Sequence, residues 1–338
     1  MATKKLFFSC VVLIGFAFSC LFLETPANAQ KVDTAGHRHH NEKMGPFSAW
    51  SEPVNLGPSI NTPDSEFHSS ISEDELAIFF AAARPGGFGG NDLYVAERHS
   101  RDDDWGPAQN LGPKFNTNLS EGGPLLSPDE HWLLFCSNGH GGFGDFDIFA
   151  VFRKDTSDNF GWGELINLGE GVNSPFGDCD PTLFVDTETR VITMYFASTR
   201  PGLGDWDIYH STLGDDGAFG PAILVPELSS PQRDAHPTIR RDGLEIFLAS
   251  NRPGSIGGID LWVSTRPTIH DAWSTPLNLG PTVNTLDDER APYLSADGER
   301  LYFTSNRPGC CGGNDFYVIT RKRLCDNDYE KCDTDKFD

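Results

Sequence analysis

The feature that most constrains this chain is a short glycine-rich phrase that occurs five times. Its clearest copy runs from Ser305 to Val318, where an apolar segment leads into Arg307-Pro308-Gly309 and Asp315 opens another β-prone segment. Proline lacks a ladder donor and glycine loses much backbone entropy, so the cluster predicts a loop between two strands. The other copies begin near Arg84, Gly139, Arg200 and Arg252. The fold must therefore be inferred from the repeat.

A second phrase, led by tryptophan, gives the period of the repeat. Trp50 to Gly57 returns three times, and a degenerate copy begins at Phe219. The full copies are Trp105 to Gly112, Trp162 to Gly169 and Trp273 to Gly280. Successive copies are 55, 57, 57 and 54 residues apart. That period fits one four-stranded blade of a β-propeller.

Each repeat holds four strand segments. In the last repeat they are Trp273–Leu279, Arg290–Ser295, Leu301–Ser305 and Phe316–Thr320. The first tryptophan-type strand precedes the first triplet of other strands, so Trp50–Leu56 is expected to complete the sheet of Phe316–Thr320. The sequence thus predicts an all-β, five-bladed β-propeller of four-stranded antiparallel blades, closed by the N-terminal strand. The alternative is an open stack of repeats, which would need a cap at each end.

The first 29 residues predict an export signal. Lys4 and Lys5 precede an apolar run from Leu6 to Leu23, and Ala27-Asn28-Ala29 suits cleavage. An uncleaved anchor remains the alternative, since the run reaches spanning length. We expect a periplasmic or extracellular protein without membrane insertion after cleavage. Residues 30–47 are expected to be a flexible linker, 48–322 the propeller and 323–338 an acidic tail.

The net charge limits the partners of this chain, and its cysteines predict a disulfide. The chain has 26 basic and 49 acidic residues, a net charge of −23, which disfavours nucleic acid and favours cations or basic partners. A monomer is expected. Six cysteines follow the signal, and Cys325–Cys332 is the favoured disulfide because it closes a short loop of an exported chain.

The repeat resembles a known family. The phrase from Leu294 to Val318 combines a Ser-Ala-Asp-Gly turn, an apolar strand, Ser-Asn-Arg-Pro-Gly and Asp-Phe-Tyr-Val. It resembles the bacterial WD40-like β-propeller repeat family, to which the propeller of TolB-type periplasmic proteins belongs. The resemblance covers about residues 50–321 and implies the fold but no single function, because such repeats serve many roles. Five units are visible here instead of the six of TolB.

Several polar residues recur in nearly every unit. An acid begins the second strand, which is expected to be innermost: Glu66, Glu121, Asp178, Asp234 and Glu289. An arginine follows in four units: Arg84, Arg200, Arg252 and Arg307. Carboxylates around a channel mouth would suit a cation or a sugar, but acid–arginine pairing is favoured because buried carboxylates need such partners. A recurring aspartate is expected to pin each glycine loop by accepting backbone N–H bonds. These are Asp92, Asp147, Asp207, Asp260 and Asp315.

Functional residues are expected where the repeats differ. Residues two apart on a strand share a face, which places His68, Asp180, His236 and Tyr293 on the channel side with the acids. His and Asp are suitable metal donors, so a divalent cation in the channel is one prediction, and a polar lining with water is the alternative. Exposed loop aromatics are expected either to grip a ligand or to pack the loops: Phe88, Phe143 and Trp206.

Two functions remain open. The favoured expectation is a non-catalytic binding or protein-interaction module, with a protein or carbohydrate ligand on the glycine-loop face and channel mouth. The alternative is a glycoside hydrolase-like propeller that uses channel carboxylates as acid and nucleophile or base. The recurring acids look nearly identical, whereas catalysis needs carboxyls in different environments, and this weighs toward binding. No nucleophile elbow or phosphate loop is visible.

Overall fold

The computed structural model describes residues 46–309 and 311–324, and this part of the chain folds into five β-sheets without a helix. The predicted signal peptide and the predicted Cys325–Cys332 pair lie outside the described residues. No helix capable of crossing a membrane was found in the described part.

Twenty strands, numbered in chain order, make up the five sheets. The inner strands, which face the channel, are β2 (Glu66–Ile71), β6 (Glu121–Leu126), β10 (Asp178–Val185), β14 (Asp234–Ile239) and β18 (Glu289–Leu294). The second strands are β3 (Ala77–Ala82), β7 (Trp132–Ser137), β11 (Ile192–Ser198), β15 (Glu245–Ser250) and β19 (Arg300–Ser305). The third strands are β4 (Asp92–Glu97), β8 (Asp147–Phe152), β12 (Asp207–Thr212), β16 (Asp260–Thr265) and β20 (Asp315–Thr320). The outer strands are β1 (Val54–Asn55), β5 (Gln109–Asn110), β9 (Ile166–Asn167), β13 (Ile223–Leu224) and β17 (Leu277–Asn278).

The ring closes between the two ends of the propeller. Four sheets use consecutive strands, whereas the fifth has the order β1-β20-β19-β18. Val54 pairs with Val318 and Asn55 with Tyr317, both antiparallel. Each inner strand contacts the next one around the channel, and β18 contacts β2. The predicted five-bladed propeller, closed by its N-terminal strand, is confirmed.

The outer strands are much shorter than expected from the tryptophan phrase. The predicted segment Trp273–Leu279 keeps only Leu277–Asn278 in the ladder. Trp273 lies outside the ladder, where its buried ring stacks under Arg266, the residue that follows β16. The tryptophan of each phrase is therefore a packing residue rather than a strand residue.

This arginine–tryptophan stack recurs around the ring. The guanidinium carbon lies 4.2–4.6 Å from the ring centroid in four blades: Arg98 on Trp105, Arg153 on Trp162, Arg266 on Trp273 and Arg321 on Trp50. In the remaining blade the tryptophan is replaced by Phe219 and the arginine by Leu213, which pair through an isolated bridge. The loss of the cation together with its tryptophan indicates that the two side chains act as a unit.

The core lies between the sheets. Each sheet packs on both neighbours, so the second strands are buried along almost their whole length, as β15 is at all six residues. One equivalent position is completely buried in every blade: Phe80, Phe135, Phe196, Leu248 and Phe303. A disulfide that the sequence did not indicate joins Cys136 in β7 to Cys179 in β10, across two neighbouring blades.

The closure makes a stability prediction at Arg321. This arginine is 7% exposed, stacks on Trp50, donates to the Gly298 carbonyl and is ion-paired with Glu245. Arg321→Ala should lower the free energy of unfolding by about 3 kcal/mol, because it removes the stack on Trp50 and a buried ion pair and leaves Glu245 with Arg240 as its ion-pair partner. Urea denaturation measures the change. The exposed neighbour provides the control, since Arg323→Ala should stay within about 0.5 kcal/mol of wild type. Equal effects would contradict this role for Arg321.

The disulfide makes a second prediction. Its cysteines are 43 residues apart, so the bond restricts a long loop of the unfolded chain. A Cys136→Ala/Cys179→Ala variant should lose about 4 kcal/mol of unfolding free energy by the chain-entropy estimate. Denaturation of the variant, compared with wild type under oxidising and reducing conditions, measures this. A variant as stable as the oxidised wild type would argue against the cross-link.

Candidate functional site

Each inner strand bends at its third residue. At this position the pairing with the second strand shifts register, and the backbone adopts a left-handed conformation in all five blades. The φ values are 49° at His68, 52° at Gly123, 56° at Asp180, 54° at His236 and 47° at Ala291. A left-handed conformation costs a residue other than glycine roughly 1–2 kcal/mol. The bend is a β-bulge, which turns a side chain away from its alternating direction.

The bulge separates residues that strict alternation would place together. The Glu66 side chain is fully buried and accepts hydrogen bonds from Thr62 and Arg84. His68 instead lines a central pocket, which lies where the five inner strands meet. A sequence signal for the bulge exists, because four blades have proline directly after this position: Pro124, Pro181, Pro237 and Pro292. Proline inside a sheet is confined largely to edges and bulges.

Four of the recurring acids form buried ion pairs. The closest nitrogen–oxygen distances are 2.9 Å for Arg84–Glu66, 2.5 Å for Arg200–Asp178, 2.5 Å for Arg252–Asp234 and 2.9 Å for Arg307–Glu289. All four acid side chains have no exposed surface. Each arginine also donates to a carbonyl that precedes the inner strand, as Arg84 does to Ile60. These pairs tie the loop before each inner strand to the loop after the second strand.

The second blade satisfies its acid differently. Glu121 is 1% exposed and accepts hydrogen bonds from the Thr117 backbone and hydroxyl and from the Ser137 hydroxyl. His140 contacts the Phe115 carbonyl at 2.7 Å, the position that an arginine occupies in the other blades. The five recurring acids are thus held inside the walls, and none of them lines the central pocket.

The recurring aspartates hold the glycine loops. Asp92 accepts the Phe88 backbone N–H at 2.7 Å and the Asn110 amide at 2.9 Å. The same backbone contact is made by Asp147, Asp207, Asp260 and Asp315. Phe88 and Phe143 stay 47% and 42% exposed on this loop face, whereas Trp206 is half-buried beneath Arg233. None of the three aromatic residues lines the central pocket.

His68, Asp180 and His236 come together at the channel centre. His68 Nε2 lies 3.2 Å from Asp180 Oδ1, His236 Nδ1 lies 2.8 Å from Asp180 Oδ2, and the two nitrogens are 3.0 Å apart. Their side chains are 20%, 5% and 9% exposed, respectively. We call this site the channel pocket. It is lined by the bulges of all five inner strands and has a cavity volume of about 30 Å³. That volume admits a water or an ion but no sugar ring.

Two neighbours complete the walls of the channel pocket. Tyr293 lines it, but its hydroxyl donates to the Ile71 carbonyl at 2.7 Å, and burial raises its pKa to about 12. Gly123 lies so close to Asp180 that an added Cβ would be 3.0 Å from the Asp180 backbone nitrogen. A larger residue there would crowd Asp180, so this blade contributes space rather than a ligand.

The charges and burial of the channel pocket favour an ionised Asp180 beside a neutral His236. Burial alone would raise the pKa of Asp180, but His236 and His68 hold that pKa well below its ordinary value. Burial lowers the pKa of His236 to about 4, against the opposing effect of Asp180. At neutral pH this arrangement presents acceptor oxygens and imidazole nitrogens to the same small space.

Arg233 interacts electrostatically with Asp180 and His236 of this site. The Arg233 guanidinium stacks on Trp206 at 5.0 Å and lies 3.9 Å from Asp205. Burial lowers its pKa, while the charge of Asp180 acts in the opposite direction. A cation stacked on an aromatic ring thus interacts electrostatically with Asp180, although neither Arg233 nor Trp206 lines the channel pocket.

Comparison with known proteins supports the fold. No family model and no curated protein sequence matches this chain. The GH62 α-L-arabinofuranosidase catalytic domain of Coprinopsis cinerea is similar in structure, with a TM-score of 0.56, 13% identity and coverage of 80% of this chain and 97% of that chain. An α-L-arabinofuranosidase from Lactobacillus brevis has a TM-score of 0.55 at 12% identity, covering 79% and 92%. TolB from Acinetobacter baumannii is also similar, with a TM-score of 0.48 at 15% identity, covering 82% and 65%.

The comparison corrects the functional expectation. The expected non-catalytic binding module is contradicted, because the similar solved structures with TM-scores of 0.53–0.56 include two α-L-arabinofuranosidases and a family-43 glycoside hydrolase. The glycoside hydrolase-like alternative is the better supported of the two. At 12–13% identity the likeness establishes the fold, and it transfers no catalytic residue to this chain.

The burial of His236 makes a pH prediction. Between pH 6.5 and about 4, His236 binds a proton in the unfolded state but not in the folded state. Lowering the pH through this range therefore destabilises the folded state. The loss should be roughly 3 kcal/mol for a shift of this size, and His236→Asn should remove it. Denaturation of chelator-treated protein across this pH range measures both. His99→Asn, at an exposed histidine, should leave the profile unchanged, and parallel profiles for wild type and His236→Asn would refute the assignment.

Proposed function

We propose that this chain is a carbohydrate-active enzyme that cleaves glycosidic bonds, with the glycan on the glycine-loop face and the channel pocket as the reaction centre. One observation carries the proposal. The repeat builds five equivalent bulges around one axis, and three of them carry His68, Asp180 and His236 in direct contact. Residues shared by every blade build the blade, so the residues that differ are the ones available for chemistry.

Asp180 is the carboxylate suited to this role. Glycosidic cleavage passes through a transition state with positive charge on the sugar ring, which an ionised carboxylate stabilises. Asp180 lines the channel pocket and its pKa is held low against the effect of burial, whereas the five recurring acids lie within the walls of the propeller. The imidazoles of His68 and His236 contact this carboxylate and hold it at the centre of the channel pocket. This arrangement differs from a pair of carboxylates on opposite sides of a sugar.

We expect the glycan to lie at the mouth of the channel pocket because the cavity is small. A cavity of about 30 Å³ holds a small ion or a water, so the sugar itself must lie across the opening. Arg233 on Trp206 offers a guanidinium and an aromatic surface beside the opening. Phe88 and Phe143 supply further exposed rings on the glycine loops, where stacking on a longer glycan would add affinity.

The fold and the predicted export support the proposal. Solved propellers of this fold include arabinofuranosidases and a hydrolase complexed with xylotriose. Arabinofuranosyl-substituted xylan and xylo-oligosaccharides are therefore the first substrates to examine. The predicted export signal would deliver the enzyme to the periplasm or beyond, where such polysaccharides are met.

Glycan turnover tests the proposal. The full chain is incubated with arabinoxylan, arabinan, xylo-oligosaccharides and cello-oligosaccharides, and released sugars are quantified by chromatography. We expect turnover of at least one glycan, reduced about 10²–10⁴-fold by Asp180→Asn, because this variant keeps the shape of the side chain and removes its charge.

The matched control is Asp104→Asn, an exposed acid in the loop on the opposite face. It should retain turnover within about twofold of wild type, since surface changes away from a site are nearly neutral. No turnover on any glycan, or equal turnover in the Asp180 and Asp104 variants, would overturn the proposed reaction.

A further inference from the structure

We propose that the channel pocket binds one divalent first-row transition-metal ion through His68 Nε2, His236 Nδ1 and the Asp180 carboxylate. The inference uses only the geometry of these three side chains and does not depend on the proposed reaction. The three residues come from separate blades, and their donor atoms lie within 4.8 Å of one another.

The spacing of the donor atoms fits a shared ion. Two ligands about 2.0–2.1 Å from one ion lie roughly 2.9 Å apart at a right angle and roughly 3.4 Å apart at a tetrahedral angle. The observed distances are 3.0 Å between the two nitrogens, 3.2 Å from His68 to Asp180 and 2.8 Å from His236 to Asp180. All three ligands stand on one side, which leaves the opposite side of the ion open toward the channel.

Protons satisfy this triangle poorly, as two arrangements show. If both imidazoles donate to Asp180, two N–H groups face each other across 3.0 Å. If His68 instead donates to His236, the bare Nδ1 of His236 faces a carboxylate oxygen at 2.8 Å. Asp180 Oδ1 is buried and makes no hydrogen bond, although it lies 3.2 Å from His68 Nε2. Buried polar atoms without partners are rare in native proteins. One cation between the three donors resolves every one of the close approaches in the triangle.

The backbone gives independent support. His68, Asp180 and His236 all adopt left-handed φ values, which glycine would accept without cost. The chain keeps two imidazoles and a carboxylate at these strained positions instead of glycine. The bulge itself belongs to the fold, since Gly123 and Ala291 share it, but the choice of side chains does not follow from the fold.

The chemistry of the ligands selects the class of metal. Imidazole nitrogens suit zinc, iron, nickel and copper, whereas calcium and magnesium prefer all-oxygen sites with more ligands. Two nitrogens and one carboxylate with open positions are the pattern of a reactive rather than a closed structural site. An ion held here would supply a Lewis acid and a water of lowered pKa at the mouth of the channel pocket.

Metal titration tests the site. The full chain carries His37, His39 and His40 near its N-terminus, so these are first changed to alanine to remove a competing cluster. Chelator-stripped protein is then titrated with Zn²⁺ by calorimetry and with Co²⁺ by visible absorption. We expect one Zn²⁺ per chain and Co²⁺ bands characteristic of nitrogen and oxygen ligands.

Variants of the ligands complete the test. Asp180→Asn should weaken Zn²⁺ binding by about 100-fold or more, and His68→Ala/His236→Ala should abolish it. His99→Ala, at an exposed histidine outside the channel pocket, should bind Zn²⁺ with the same affinity as the parent variant without His37, His39 and His40. Asp180→Asn keeps the side-chain shape, so it remains informative if the double variant does not fold. The absence of bound metal, equal affinity in Asp180→Asn, or preference for Ca²⁺ would overturn the proposal. Metal binding without glycan turnover would retain the site and reject only the reaction.

Discussion

The structure depends on the closure of five sheets around one narrow channel. Closure forces the five inner strands side by side, and a bulge at the same position of each strand turns five residues toward one axis. Residues far apart in the chain thereby meet at hydrogen-bond distance, as His68 and His236 do across 168 positions. A break at the seam between β1 and β20 would separate the first blade from the last, and the channel pocket would lose its shape.

Around that axis the chain separates support from chemistry. Arginine–acid pairs such as Arg252 and Asp234 hold the loops of each blade, while arginine–tryptophan stacks such as Arg266 on Trp273 hold the outer edges. These contacts recur because every blade must fix the same loops and the same outer edge. The side chains at the bulges do not fix loops or edges, so they can differ between blades. Two imidazoles and one carboxylate occupy three of them.

Much of the fold follows from the sequence, because a repeat with a constant period leaves few ways to bury its strands. The closing partner of Phe316–Thr320 could be predicted by counting strands, and the pairing of Glu66 with Arg84 by tracing strand directions. Strict alternation along the inner strands does not predict the bulge, although Pro181 and Pro237 signal an interruption there, since proline in a strand is confined largely to edges and bulges. The Cys136–Cys179 bond could not be predicted, since it depends on how two neighbouring blades face each other. Function follows least from the sequence, because a repeat specifies a scaffold rather than its site.

We propose that His68, Asp180 and His236 at the three bulges form a single reactive centre on the propeller axis. Anomalous diffraction from a crystal of chelator-stripped protein soaked with Zn²⁺, recorded at the zinc edge, tests it most directly. We expect one dominant peak about 2.0–2.2 Å from His68 Nε2, His236 Nδ1 and an Asp180 oxygen. Full occupancy elsewhere with this position empty, or a peak bound by only one of the three side chains, would contradict it.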